Sequence, residues 1–304
     1  MARILVAIAA YNESHIEQTV ASILENASKC NSIHINVCEF RTDDNFASFS
    51  EKNITHTKHN TSIPTGVGIT RYMALSGCQL FDYVLQCDAH MFLGKFWDEN
   101  MIWRYETISK EVNARIVISQ HVSPLREDDN KKLIIKDVFS EPSMLFIDKE
   151  FRIWSRNWVP QKLPDWRENY AVTASYMFSE ASVFIDVPPD PNMFFYGEEH
   201  TTYLRLISRG IRSISTDYVD VYHLDKGKNT FDKESANDWR IDYFTDKRLA
   251  VLNAFDRYSL QRTTSILDGT VTGLWGAPTK TLADEAIAIM NIDINLFKKR
   301  FLCL

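Results

Sequence analysis

Five cysteines in 304 residues (Cys30, Cys38, Cys78, Cys87 and Cys303) are an odd number, and no two stand in Cys-x-x-Cys spacing. A disulfide framework is therefore excluded as the basis of the fold. Free cysteines beside apolar segments point instead to a reducing, cytoplasmic compartment. No apolar run approaches the ~18 residues of a membrane span, so no membrane partner is expected. The short apolar opening MARILVAIAAY leads directly into a helix start and does not read as a signal peptide. Net charge is −6, so the global basic footprint of a nucleic-acid binder is missing. Also missing are the Gly-x-Ser-x-Gly of serine hydrolases and a Gly-x-Gly-x-x-Gly after the first strand. There is no internal repeat, no low-complexity tract and no linker that would cut the chain.

What is present is the patterning of an α/β domain, in a composition that is 45% hydrophobic and 24% charged. ARILVAIAAYN reads as a strand buried on both faces. ESHIEQTVASILENA reads as a helix, with Ser14 and Glu17 in capping-box spacing and Ile16, Val20, Ile23, Leu24 and Ala27 on one face. SIHINVCEF is the next strand, and this βαβ opening predicts a mostly parallel sheet flanked by helices. Residues 41–65 lack periodicity and are expected to form a loop. TGVGITRYMALSGC predicts a helix entered through Gly66 and Gly68, its N-terminus offering free backbone N–H groups. A strand ending at Asp88, the helix WDENMIWRYETISKEV and the strand RIVISQ follow. YAVTASYMFSEASVFIDV reads as two strand-like runs, a helix starts near Glu198, and SISTDYVDVYHL reads as one strand ending on His223. The expected organisation is a core over 1–225, then a polar lid over 226–240 and a mostly helical C-terminal extension to 304.

Acid and imidazole groups collect at the ends of these elements. Asp88 and His90 are two apart, which in an extended backbone places both on one side. In open α/β sheets ligands gather at the carboxyl ends of strands, where Asp88, His90 and His223 would all lie. A mixed oxygen and nitrogen set suits Mn²⁺, Zn²⁺ or Fe²⁺, and phosphates tilt it toward Mn²⁺. Glu198 and Glu199, just before a helix, either complement its dipole or present one acid to a cleft, there to bind sugar hydroxyls or orient an attacking one. GVGITR is a loose match to a phosphate cradle, with Arg71 one turn in as a further cation. His56 and His59 have metal-like spacing but lie in the polar loop, and His121 has no partner nearby; all three read as structural.

The order of the motifs is more specific than any one of them. VAIAAYNESHIEQTVASIL resembles the opening of the nucleotide-sugar glycosyltransferase superfamily with the A-type fold, and Asp88-Ala89-His90 stands at its metal-binding D-x-D. GITRYMA, YVLQCDAHMFLGKFWDENMI, FSEASVFIDVPPDPNMFFYGEEHTTYLRLISRG and VYH together resemble the cytoplasmic N-acetylglucosaminyltransferases that modify hydroxyproline on a Skp protein. GLWGAPTKTL is similar to that family's Gly-Leu-Gly and Arg-Thr-Leu segment, with Lys280 at the Arg position, and YNES stands for its Tyr-Arg-Asp.

The resemblance implies a metal-dependent, retaining transfer from a UDP-sugar, UDP-GlcNAc above all, to an acceptor hydroxyl. Asp88 would face the ribose and the metal, with His90 and His223 as metal ligands of Mn²⁺ or another divalent cation. Ala9, Tyr11 and Glu13 would line the nucleoside pocket, and Glu39, Asp43 or Asp44 would contact the base. Glu198 or Glu199 would touch the donor sugar or the incoming hydroxyl, Arg71 would be a second cation near the diphosphate, and 226–240 would close as a lid. The acceptor would be a protein, a saccharide or a hydroxymethylated DNA base of the viral kind. The family favours protein, while Lys52, Lys58, Lys132 and Lys136 could still form a local patch for DNA. A non-catalytic nucleotide-sugar-binding protein and a metal-dependent hydrolase are the rival readings, and a binder would not need the acids and imidazoles together.

Overall fold

The computed structural model describes residues 1–61, 65–127, 133–135, 144–148, 151, 153–156, 165–217, 221–224 and 246–301. The chain begins β1 (Arg3–Tyr11), α1 (Ile16–Asn26), β2 (Ser32–Arg41), β3 (Ile54–Asn60), α2 (Val67–Ala74), β4 (Tyr83–Asp88), β5 (Met91–Leu93) and α3 (Trp97–Val112). Short strands follow: β6 (Ile116–Ile118), β7 (Ser123–Glu127), β8 (Leu133–Ile135), β9 (Met144–Ile147), β10 (Ile153–Arg156), β11 (Trp166–Glu168) and β12 (Tyr176–Glu180). Then come α4 (Ala181–Asp186), α5 (Glu198–Ile207), β13 (Arg212–Thr216), β14 (Val221–Leu224), α6 (Asp246–Leu267), α7 (Lys280–Met290) and α8 (Ile294–Phe301).

One sheet carries the order β11-β13-β6-β12-β4-β1-β2-β3, and β12 runs antiparallel to both its neighbours within an otherwise mainly parallel set. The continuous apolar run of β1 has a simple cause, since both faces of the sheet are covered. Ile4, Val6 and Ile8 point into a core shared with Ile16, Val20 and Ile23 of α1 and with Trp97 and Met101 of α3. Leu5 and Ala7 point the other way, into a core shared with Leu204 and Leu206 of α5, Ile266 of α6 and Ala283 of α7. Full burial of each such Ile, Leu or Val stabilises by roughly 1.5–3 kcal/mol, and the C-terminal helices thereby pack on the same core as the first strand. Among the described residues no helix is long and apolar enough to cross a membrane, and Cys30, Cys38, Cys78 and Cys87 are free thiols.

Four local expectations need correction. Residues 54–60 form β3, paired parallel with β2 so that Ile35 lies opposite Ile54; an edge strand needs little apolar periodicity, and seven polar-rich residues concealed it. The second strand-like run after residue 170 is the helix α4, because Ala181 to Phe184 turn onto the core rather than join the sheet. SISTDYVDVYHL is two strands, with β13 in the large sheet and β14 in a four-stranded sheet of order β5-β14-β7-β8. The Ser14–Glu17 capping box does not form: His15 occupies the cap position and makes no capping side-chain bond, while Glu17 accepts from Ser48 N at 2.9 Å.

The motif pair Trp97-Asp98 belongs to the scaffold. Trp97 donates from Nε1 to Ile23 O (3.0 Å). The fully buried Asp98 accepts from Ser28 N (2.8 Å), Ser28 Oγ (2.7 Å) and Asn31 Nδ2 (2.9 Å). Asp190 is equally buried and ties α6 in place through Arg262 Nε at 2.6 Å.

Candidate active site

Strand order reverses at β1, which has β2 on one side and β4 on the other, so a crevice opens where the connections diverge. At the end of β1, Asn12 takes a left-handed conformation (φ 46°) that short polar side chains tolerate. Its Oδ1 accepts from Thr42 N at 2.9 Å and its N–H donates to Phe40 O at 3.0 Å. The turn directs Glu13 across the crevice to His90, whose Nδ1 lies 3.0 Å from Glu13 Oε2.

Asp88 ends β4, and His90 follows in a tight turn rather than in the extended backbone the spacing suggested. Thr19 Oγ1 of α1 donates to Ala89 O (2.9 Å) and pins that turn. β14 pairs antiparallel with β5, His223 opposite Met91, and Leu224 N donates to His90 O at 3.0 Å. The rings of His90 and His223 therefore meet edge to face at 4.4 Å, and His223 Nε2 stands 3.5 Å from Asp88 Oδ2. One ligand atom from each of Asp88, His90 and His223 lies within 4.8 Å of the others. Two donors of a common ion, each about 2.0–2.2 Å away, stand at comparable separations, so the set fits a divalent cation.

Behind this trio lies Arg71, 8% exposed. It donates through one terminal nitrogen to Asp88 Oδ1 (2.9 Å) and through the other to Glu198 Oε2. Burial opposes the charge on Asp88, but His223, Arg71 and His90 outweigh it and hold its carboxyl well below the usual range. Burial depresses His90, with Glu13 opposing and His223 assisting, so the imidazole is favoured in the neutral form a metal ligand needs. Glu199 accepts from Ala174 N at 2.8 Å, and burial, with Glu198 beside it, pushes its carboxyl up to about 7. Of the two adjacent acids, Glu198 is paired with a guanidinium and Glu199 is poised to hold a proton.

The phosphate-cradle expectation for α2 is overturned. Val67 N donates to Phe194 O (2.8 Å) and Gly68 N to Met193 O (3.1 Å), so these first donors of the helix are already taken. A Cβ on Gly68 would run into the Asp190 carbonyl oxygen; the glycine serves a close backbone approach, not an anion. Of the nucleoside-pocket candidates, Ala9 pairs in register with Asp88, Tyr11 is buried with Cys38 and Phe40, and Glu13 turns to His90. Glu39 is fully buried between Arg41 NH1 (3.2 Å) and His56 Nε2 (2.9 Å). Asp43 and Asp44 are exposed, bonded to Arg41 and Asn60 respectively.

His56 is therefore structural, and His59 stacks on Phe40 at 4.4 Å. His121, read as lacking a partner, instead lies close enough to His223 for the latter to disfavour its charge, a smaller effect than its burial. The signal for it was available: like His90, it follows a strand of the large sheet. Lys280 bonds Asp268 O and Asp284 in α7, and Lys58 sits over Phe46 at 5.7 Å. Lys132, Lys136 and the lid segment 226–240 lie outside the described residues.

Comparison with known proteins bears on this geometry. Among curated proteins none matches this sequence. The solved structure of GalNAc-T7 with UDP, GalNAc and Mn²⁺ is similar to 99% of this chain at 14% identity, with a TM-score of 0.61. This chain spans little more than half of that one (57%). Residues 1–349 of TarS from S. aureus match 98% of this chain and 72% of their own at 10% identity, with a TM-score of 0.50. Likeness at such identities establishes a shared architecture, which is the A-type glycosyltransferase fold. The family model described as Glycosyltransferase (GlcNAc) matches residues 40–287, from the end of β2 into α7 and across Asp88, His90, Glu198 and His223. The chain belongs to that family of glycosyltransferases.

Proposed function

We propose that this chain transfers N-acetylglucosamine from UDP-GlcNAc to an acceptor hydroxyl on protein, with retention at the anomeric carbon and with Mn²⁺ held by Asp88, His90 and His223. The observation that carries the reading is the convergence of those three donors at the end of β1 and β4. The family's description supports the sugar, and UDP with Mn²⁺ in the GalNAc-T7 structure supports the nucleotide and the ion. Retention and a protein acceptor rest on the motif resemblance, as does a cytoplasmic location.

A leaving diphosphate gains charge as the glycosidic bond breaks, and a divalent ion supplies Lewis-acid stabilisation where that charge develops. The protein's own groups prepare the site. Arg71 keeps Asp88 ionised and fixes Glu198 in one orientation. Ala9 beside Asp88 leaves room for the nucleoside, and Asp43 or Asp44 contacts the base, since Glu39 is enclosed. Glu199, able to carry a proton near neutrality, hydrogen-bonds a sugar hydroxyl, and Glu198 orients the incoming one. The core over 1–225 and the extension from 226 act together.

The test is a thermal-shift titration with UDP-GlcNAc, UDP-glucose, UDP-galactose and UDP-arabinose, each in Mn²⁺ and in EDTA. A ligand at a hundred times its dissociation constant stabilises by about 2.7 kcal/mol. Stabilisation by UDP-GlcNAc that requires Mn²⁺ and disappears in His90→Ala is the expected result. No shift with any nucleotide in either condition would refute the proposal.

A further inference from the structure

Glu13 is 6% exposed, and its carboxylate is held from several sides. Oε1 accepts from Ser14 N (2.9 Å) and His15 N (3.1 Å) and meets His15 Nδ1 at 2.9 Å. Oε2 meets His90 Nδ1 at 3.0 Å. The backbone is fixed as well, because Arg41 donates to Glu13 O at 3.1 Å and Asn12 locks the turn before it. Two backbone N–H groups at the start of α1 aim at Oε1, an arrangement that favours an ionised carboxylate.

An ionised carboxylate only accepts, so the ring nitrogen facing it carries the proton. For His90 that nitrogen is Nδ1, which leaves Nε2 with its lone pair. Nε2 is then the atom available to join Asp88 and His223. We propose that Glu13 is the positioning residue of the metal centre: it holds His90 in the Nδ1–H tautomer and in one ring orientation, so that Nε2 presents a lone pair to the cation. The inference rests on the reading of Asp88, His90 and His223 as metal ligands. It gives Glu13 a role apart from the nucleoside contact, and it explains why an acid follows the left-handed Asn12. Carboxylate partners of this kind fix ligand histidines and typically change metal affinity 10–100-fold, as order-of-magnitude values.

Two readouts test it on the full chain. In protein carrying ¹⁵N-labelled histidine and kept in EDTA, the His90 signals are assigned by their loss in His90→Ala. The expected spectrum shows a protonated Nδ1 and an unprotonated Nε2. Glu13→Gln keeps an amide oxygen for Ser14 and His15 while turning its NH₂ toward His90, which reverses the tautomer; Glu13→Ala removes the partner. Mn²⁺ titration followed by electron paramagnetic resonance is expected to show roughly tenfold to hundredfold weaker binding in both variants. Ser14→Ala, which retains its backbone N–H, keeps wild-type affinity, and melting curves confirm that each variant is folded. An Nε2–H tautomer in the wild type, or Mn²⁺ affinity within twofold of wild type in Glu13→Gln, overturns the proposal. Failure of the underlying reading looks different: a wild-type chain with the Nδ1–H tautomer that binds no Mn²⁺ removes the metal centre, and with it the purpose assigned to Glu13.

Discussion

Replacing Arg71 by Met tests the electrostatic design of the site directly. The guanidinium is buried between Asp88 and Glu198. At the 2.9 Å separation from Asp88, an effective dielectric near 20 gives about 6 kcal/mol of gross attraction for that contact alone. Desolvation of all three groups cancels much of this. The loss on deleting one partner of such a buried pair is about 3–5 kcal/mol, most of it the cost of leaving carboxylates uncompensated. With an m value of about 3 kcal/mol/M, the urea midpoint of Arg71→Met falls by about 1–1.7 M at pH 8 in EDTA.

The pH dependence gives the sharper test. In the wild type the depressed pKa of Asp88 means stability that is present above the ordinary carboxylate pKa and lost as pH falls through the folded value. In Arg71→Met, Asp88 keeps His223 and His90 but loses the guanidinium, so its carboxyl is depressed less and contributes less stability above the ordinary carboxylate pKa. The gap between the two proteins should therefore be widest above the ordinary carboxylate pKa and narrow as pH falls below it, as read by urea melts from neutral into acid pH. Arg71→Lys, a point charge that cannot fork to both acids, should fall between them. A gap below about 1 kcal/mol, or one that does not change with pH, would show that Arg71 does not hold these carboxylates in the way described.

Glu199→Gln keeps an oxygen for Ala174 N but removes the titration. Because the folded pKa of Glu199 is about 7, above its unfolded value, its stabilisation is full below the ordinary carboxylate pKa and is lost as pH rises toward 7. At 1.36 kcal/mol per pKa unit the loss is on the order of 3 kcal/mol, so the variant should be more stable than wild type at pH 8 and show a flatter profile between pH 5 and 8 in thermal melts. Gly197 has φ 90°, and a Cβ there would strike Thr263 of α6. Gly197→Ala should cost about 2–4 kcal/mol in urea unfolding, from left-handed strain and overpacking together, and should weaken UDP-GlcNAc binding by displacing Glu198. Asp98→Ala should destabilise by about 2–4 kcal/mol through the lost partners of Ser28, yet leave the affinity of folded protein for UDP-GlcNAc unchanged in calorimetry, since Asp98 belongs to the scaffold.

The sequence by itself determined the elements whose pattern is local. The run Ile4–Ile8 could only be a strand covered on both sides, and the periodicity of α1 reported the face that meets it. The order of the acids and imidazoles likewise marked Asp88, His90, Glu198 and His223, because such residues at element ends stand out against an apolar background. Tertiary structure alone decided what each group touches. Arg71 and Glu198, 127 positions apart, meet only because α2 and α5 pack on one face of the sheet. The Gly66–Gly68 entry to α2 looked like an anion cradle until the carbonyls of Met193 and Phe194 were seen to take the N–H groups of Gly68 and Val67. Trp97-Asp98 and Asp190 stand among the same motifs as the site residues and yet hold the scaffold. Their complete burial depends on contacts distant in sequence, which no local pattern reports. Glu13 shows the same limit, since its spacing from His90 carries no period and only the packing of β1 against β4 brings the two side chains together.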